Sequence, residues 1–180
     1  MRAIVETIDA VNERVGRLVS WLTLFMVLLQ FAIVLFRYVF GIGWIAVQEM
    51  VVYMHAAVFL GVAGYTLRHD GHVRVDIFYG SAGPKARARV DLLGSLILLL
   101  PMSLAIFWLA WPYVADSWAV LEGSQEGRNG IPAVFLLKSL ILVFAGLVAL
   151  QGVALALRSV AVLRGKAWAA PPAEEGEHGL

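Results

Sequence analysis

The run LVSWLTLFMVLLQFAIVLF, residues 18–36, decides the class of this protein. It contains 19 residues and no charged side chain. A helix needs about 20 apolar residues to cross the hydrocarbon core of a bilayer. Lipid offers no hydrogen-bond partner to the backbone, so a run of this kind forms a helix, which satisfies its own backbone groups. The run therefore predicts a membrane-spanning helix near the start of the chain, at about 18–40.

Three further, predominantly apolar stretches follow, at about 44–67, 90–115 and 131–157. Of the 180 residues, 61% are hydrophobic and 15% are charged, whereas a soluble domain carries roughly 25% charged residues. The sequence therefore predicts an all-α integral membrane protein with four transmembrane helices. Cysteine is absent, which excludes disulfides, thiolate metal sites and cysteine nucleophiles. The net charge of +1 gives no reason to expect nucleic-acid binding.

Two short segments flank the membrane domain, which we place at 18–164. Residues 1–17 have apolar side chains at helical spacing and charged ones between them. This pattern predicts an N-terminal amphipathic helix that lies at the membrane interface or extends the first span. The apolar stripe consists of Ile4, Ile8, Val11, Val15, Leu18 and Leu22. Residues 165–180 are rich in Pro, Gly and Glu, so we expect a disordered tail.

The basic residues indicate the orientation in the membrane. Eleven of the 14 Lys and Arg lie before the first span, between the second and third, or after the fourth. The positive-inside rule places such loops in the cytoplasm. Both termini and the central loop are therefore expected to be cytoplasmic. The first apolar run is too long for a cleavable signal and no small-residue cleavage site follows it, so we expect it to stay as an anchor.

The central loop contains RHDGHVRVDIFYG, residues 68–80, where histidines, aspartates and arginines cluster. Such a cluster is compatible with a metal site, an acid–base site or a solvated loop. In an extended segment His72, Arg74 and Asp76 share one face; in a helix His72 and Asp76 are i,i+4 neighbours. Either arrangement gives the polar groups partners without a metal. We therefore interpret Arg68, His72, Arg74 and Asp76 as structural or subunit-interface residues and expect no metal or other cofactor.

Ionisable groups inside spans are candidates for function. Glu49 lies about one turn into the second span, where it is a possible carrier of a proton or cation; alternatively, it pairs with Arg37 or a partner subunit near the outer interface. His55 lies deeper, and a haem would need a second histidine at the same depth, so a helix or subunit contact is favoured. Ala57 and Gly61 form a small-xxx-small pattern that favours close helix packing. The common nucleotide, metalloprotease and serine-hydrolase motifs are absent, so we expect no enzyme.

The chain from Phe36 to about Leu157 resembles a known family of transporter subunits. The resemblance rests on RYVFGIGWIAVQEMVVYMHAAVFLGVAGYTLRHDGHVRVDIFY (37–79), with its Gly71-His72-x-Arg74-x-Asp76 signature, on EGSQEGRNGIP (122–132), and on the apolar last helix. Together with four spans, these features look like the small membrane subunit of tripartite ATP-independent periplasmic (TRAP) transporters, the DctQ-type small permease.

The resemblance implies a scaffold subunit in a bacterial inner membrane. Such a subunit pairs with a large membrane subunit, which holds the sodium and substrate sites, and with a periplasmic binding protein that delivers an organic acid. It implies no cofactor on this chain; sodium is expected on the large subunit, and membrane lipid, including a bound phospholipid, is compatible with it. Four charged residues of the outer loop then become candidates for contact with the periplasmic partner, if they are not merely solvated. They are Asp116, Glu122, Glu126 and Arg128.

Two other functions are compatible with the residues. One is a small proton-coupled exporter in which Glu49 carries the proton and the chain oligomerises to enclose a pathway. The other is a membrane enzyme or haem protein that uses His55, His69 and His72. Uptake by the isolated chain would favour the first, and a stoichiometric metal would favour the second.

Overall fold

A computed structural model describes residues 1–73, 79–166 and 168. Within these residues 81% are helical and no strand is present. Arg74 and Asp76 of the central signature lie outside the described residues, as does most of the 165–180 tail. The all-α prediction is confirmed.

The described residues form six α-helices, with one π-helical and one 3₁₀ segment between them. Their bounds are α1 Arg2–Phe40, α2 Ile45–Gly61, α3 Ala63–Arg68, α4 Pro84–Gly94, a π segment Ser95–Leu99, α5 Leu100–Ala119, a 3₁₀ turn Gly127–Asn129 and α6 Val134–Leu163. In the part of the chain that the structure describes, four helical stretches are long and apolar enough to cross a membrane: α1, α2 with α3, α4 through α5, and α6. The prediction of four spans is confirmed.

Helix α1 is continuous from Arg2 to Phe40, so residues 1–17 extend the first span without a break. At 1.5 Å per residue it is about 58 Å long, nearly twice the ~30 Å hydrocarbon core of a bilayer. It ends at Gly41, whose φ of 69° is the left-handed conformation that glycine adopts without steric cost. Helix α1 therefore reaches well beyond the membrane core on the side of the N-terminus.

The N-terminal part of α1 packs against the bundle through a partly polar face. The buried residues of this helix are Val5, Ile8, Asp9, Asn12 and Gly16. The predicted apolar stripe is displaced from that face, because Ile4, Val11 and Leu18 are exposed. Two polar residues that the sequence assigns to the hydrated face are therefore inside the protein.

Helix α6 forms the centre of the bundle and contacts all five other α-helices. In its most apolar window 39% of the residues are buried, whereas none is buried in the corresponding window of α1. Alanines at 145, 154 and 161 are almost fully buried and let neighbouring backbones approach closely. The outward faces of α1 and α5, by contrast, consist of exposed apolar side chains.

The second and third spans are interrupted where the sequence disfavours a regular helix. The second breaks at Val62, beside Gly61, where a Cβ would lie only 3.3 Å from the side chain of Val19 on α1. In the third, Pro101 has no N–H to donate to the carbonyl four residues earlier. The chain adopts the π segment just before it, in which the Leu100 N–H bonds to the Ser95 carbonyl.

Candidate functional site

Polar side chains gather at the end of the bundle that carries the N-terminus, α3 and the last turns of α6. We call this group the terminus-side cluster. Its members are Asp9, Asn12, Glu13, Arg68, His69, Gln151 and Arg158. It joins three helices that are far apart in sequence, and Asn12 and Gln151 are at most 1% exposed.

The carboxylate of Asp9 sets the donor-to-acceptor direction of the hydrogen bonds at the centre of this cluster. Arg158 Nη2 donates to Asp9 Oδ2 at 2.6 Å, and Gln151 Nε2 donates to Asp9 Oδ1 at 3.0 Å. Because an ionised carboxylate only accepts, Gln151 must present its oxygen to the other side, where Asn12 Nδ2 donates to it at 2.8 Å. Asp9 therefore fixes the orientation of both amides.

The remaining atom of this chain of bonds, Asn12 Oδ1, has no hydrogen-bond partner among the described residues. It lies against Gly64 of α3, where any Cβ would overlap it. Buried polar atoms without partners are uncommon and each needs a local explanation. Here the glycine lets the backbone of α3 approach the amide, so that α1, α3 and α6 meet closely.

Glu13 and Arg68 form the solvent-facing edge of the cluster. Arg68 Nη1 donates to Glu13 Oε2 at 2.5 Å and to the Asp9 carbonyl at 3.1 Å. Glu13 also contacts His69 Nε2 at 2.8 Å and Arg17 at 2.7 Å. Arg68, one of the residues that the sequence singles out in the central loop, thus forms an ion pair with Glu13. This pair connects the end of α3 to α1.

A second polar group, the loop-side cluster, lies at the opposite end of the bundle around the loop 120–133. Its members are Glu49, Ser117, Glu122, Ser124, Ile131 and Lys138. Glu49 accepts hydrogen bonds from Ser124 Oγ and, at 2.6 Å, from the Ile131 N–H. Within the described ranges no ion pair joins it to Arg37, which is exposed in the last turn of α1. Glu49 therefore ties α2 to the loop.

Glu122 ties the same loop to α5 and α6. Lys138 Nζ donates to Glu122 Oε2 at 2.5 Å, and Ser117 Oγ donates to the same oxygen at 2.6 Å. These bonds, the lysine first, hold the pKa of the Glu122 carboxyl below its usual value. The lysine also lies 4.0 Å from the ring centroid of Tyr113. The sequence offered Glu122 as a contact for a partner, but in this chain its carboxylate is engaged internally.

The other predicted residues lie on surfaces. His55 is exposed on α2, with its ring stacked 6.2 Å from that of Phe59. Gly61 is buried against α1. Asp116, which the sequence assigns to the outer loop, is exposed in the last turn of α5, and His72, Glu126 and Arg128 are exposed in the loops. Across the described part of the chain, no group of three or more His, Asp or Glu side chains is arranged to hold a metal ion.

Sequence reasoning missed most of the terminus-side cluster. Asp9, Glu13 and Arg158 read as ordinary charges at a membrane boundary. One signal was present: positions 5, 9, 12 and 16 share a helical face that ends in a glycine. Gly16 lies against the ring of Tyr65, and the absence of a Cβ there allows α1 and α3 to approach.

A comparison with protein families identifies the chain. The family model described as "Tripartite ATP-independent periplasmic transporters, DctQ component" matches residues 26–162. The protein belongs to the DctQ family. The searches of curated proteins and of solved structures gave no match.

Membership makes the chain a component of a transporter, in a family that is not an enzyme family. The DctQ match includes α2 to α5, the C-terminal part of α1 from residue 26 onward and nearly all of α6, and hence the whole loop-side cluster. It begins after Asp9, Asn12 and Glu13, so the α1 half of the terminus-side cluster precedes the matched region. The four apolar helices agree with a multi-pass membrane protein.

Proposed function

We propose that this DctQ protein is the small scaffold subunit of a sodium-coupled TRAP transporter that imports an organic acid. In this proposal the large membrane subunit holds the sodium and substrate sites, and the small subunit supports it and helps to dock the periplasmic binding protein. The observation that carries the proposal is the division of the surface. Both polar clusters join helices of this chain to one another, while the long apolar face of α1 has no partner among the described residues.

We infer that α1 is the main contact with the large subunit. The exposed apolar residues continue along one face from Phe25 and Leu18 to Val11 and Ile4. Arg14 and Arg17 mark the level of the lipid headgroups on this helix. Ile4 and Val11 lie beyond that level, where hydrocarbon does not cover them. A protein surface that follows α1 out of the membrane covers the whole face.

We also infer that the termini and the loop 69–83 face the cytoplasm of a bacterium and that the loop 120–133 faces the periplasm. The distribution of basic residues supports this orientation. Because the chain has no cysteine, single cysteines report on it cleanly. Arg128→Cys should react with a membrane-impermeant maleimide in intact spheroplasts, and Arg89→Cys should react only after lysis. The opposite pattern would refute the orientation.

The proton-coupled exporter is less well supported. A carrier carboxylate must exchange protons with water on each side of the membrane in turn. Both oxygens of Glu49 are occupied by hydrogen bonds from the loop, one from a side chain and one from the backbone. This arrangement favours a structural role for the residue.

Co-purification and reconstitution test the proposal. An affinity-tagged small subunit, expressed with its large subunit, should retain it in detergent. Single cysteines at Leu18 or Phe25 on α1 should cross-link to the large subunit more efficiently than one at Leu109, which is exposed on α5. Liposomes should take up carboxylates only when they contain both subunits, with binding protein and an outside-high sodium gradient. Uptake by the small subunit alone, or sodium-independent uptake by the complex, would refute it.

A further inference from the structure

Three helices of this protein end in the same hydrogen-bonded turn. At the ends of α3, α5 and α6 one backbone N–H bonds to the carbonyl three residues earlier, and the next N–H bonds to the carbonyl five residues earlier. This is the Schellman pattern, and it requires one residue in the left-handed region. The residues are Asp70 (φ 53°), Leu121 (φ 46°) and Gly165 (φ 66°). Glycine and aspartate tolerate this conformation, whereas a leucine is strained in it.

Packing among the described residues does not compensate for that strain. The Leu121 side chain is 64% exposed, and its neighbour Val120 is 73% exposed. A glycine at 121 would form the same turn without steric cost. Strained residues persist where the surroundings fix them, and they often mark functional positions. Leu121 is therefore a place to look for a function of the side chain itself.

The turn that presents Leu121 is held rigidly from beneath. The Glu122 N–H donates to the Ser117 carbonyl at 3.0 Å, and the Val134 N–H donates to the Glu122 carbonyl at 2.9 Å. The Glu122 carboxylate is fixed by Ser117 and Lys138. Two apolar side chains consequently project from a braced base, and little conformational entropy is lost when a partner covers them.

Val120 and Leu121 are surrounded mainly by exposed residues. Helix α5 ends at Ala119, so the pair lies past the end of the span. The exposed polar or charged residues near the pair in sequence are Asp116, Gln125, Glu126 and Arg128, and the exposed apolar neighbours are Trp118 and Ala119 at the end of α5. An apolar centre with a polar rim is the usual composition of a contact between soluble protein surfaces.

We propose that Val120 and Leu121 form the apolar anchor on which the periplasmic binding protein docks. This proposal rests on the proposed function, and it identifies apolar residues rather than the loop charges as the source of affinity. A soluble partner is favoured over the large subunit because the pair stands beyond the membrane-spanning helices among water-exposed charges. Its counterpart is a shallow apolar depression, with polar edges, on the binding protein.

The test uses the complex of both membrane subunits in nanodiscs, titrated with the binding protein encoded with this transporter. Leu121→Asn removes the apolar side chain but keeps a residue that tolerates the left-handed region. Leu121→Gly removes both the side chain and the strain. Both should weaken binding about tenfold, the usual effect of losing an interface anchor. The Tm of the complex should be unchanged or higher for Leu121→Gly.

Two control variants distinguish the loss of the apolar side chain from a change in the conformation of the turn. Leu121→Met keeps an apolar side chain and should bind like the wild type. Asp70→Gly alters the equivalent turn at the other end of the bundle and should leave binding unchanged.

Wild-type affinity in Leu121→Asn, or equal losses in Leu121→Asn and Leu121→Met, would overturn the proposal. Dissociation of the large subunit from Leu121→Asn would also overturn it, because the contact would then belong to that subunit. If the wild-type complex fails to bind the binding protein at all, the proposed function fails rather than the anchor alone.

Discussion

A Gln151→Leu substitution removes the amide that joins α1 to α6 at the centre of the terminus-side cluster. Leucine is of similar size, so the change removes hydrogen bonds with little change in volume. Asn12 Nδ2 loses its 2.8 Å bond and keeps only a 3.4 Å contact to the Ile8 carbonyl. Asp9 loses one donor and retains Arg158 at 2.6 Å.

The expected loss of stability follows from these two groups. A buried polar group left without a partner costs about 1–3 kcal/mol, and interhelical hydrogen bonds in membrane proteins are worth ~0.6 kcal/mol on average. Asn12 is fully buried and carries the larger share. We expect Gln151→Leu to lower the free energy of unfolding by about 2 kcal/mol. Titration of the purified subunit with SDS, followed by far-UV circular dichroism, measures it.

The matched control is Gln30→Leu, the same chemical change on the exposed face of α1. It should alter the free energy of unfolding by less than about 0.5 kcal/mol. The double variant Asn12→Ala/Gln151→Leu should lose less than the sum of the two single changes, with a coupling of about 1 kcal/mol. Equal effects of Gln151→Leu and Gln30→Leu, or additive losses in the double variant, would refute the network described here.

Three further changes test other parts of the two clusters. Arg158→Met should destabilise the subunit by about 1–3 kcal/mol in the same SDS titration, because it leaves the Asp9 carboxylate without its closest cation; no loss would show that the pair is dispensable. Gly64→Ala should destabilise by about 1–3 kcal/mol, because its Cβ would overlap the amide oxygen that faces it, whereas Gly146→Ala, with open space around it, should be neutral or slightly stabilising. The pKa of Glu122 is lowered in the folded state, so the contribution of its carboxylate to stability is present above the unfolded pKa and is lost as pH falls through the folded pKa. The Tm of the wild type should therefore fall more steeply below pH 4.5 than the Tm of Glu122→Gln. Parallel curves of Tm against pH would contradict this.

The four spans could be predicted from the sequence because membrane insertion depends on local properties. A run such as 18–36 must be helical in lipid whatever it packs against. The break before Pro101 follows from a missing N–H and is equally local. Family resemblance was also readable, since the central signature and the 122–132 loop are contiguous.

The clusters could not be predicted, because each joins residues that are remote in sequence. Asp9 and Arg158 are 149 positions apart, and Glu49 and Ile131 are 82 apart. Periodicity identifies an apolar face on residues 1–17, but it assumes that the polar face meets water. In this protein the neighbouring helices contribute polar groups of their own, so Asp9 and Asn12 are satisfied inside the bundle.

The positions of the two clusters explain how a subunit with so little buried surface keeps a fixed shape. Apolar packing alone does not specify helix arrangement in lipid, because lipid tails solvate the same side chains equally well. Hydrogen bonds at both ends of the bundle specify it instead: one set fixes α1 against α3 and α6, and the other fixes α2, α5 and α6 through the loop. The apolar faces between these ends are then free to meet a larger partner without altering the fold. This combination of fixed ends and an open side suits the scaffold role proposed above.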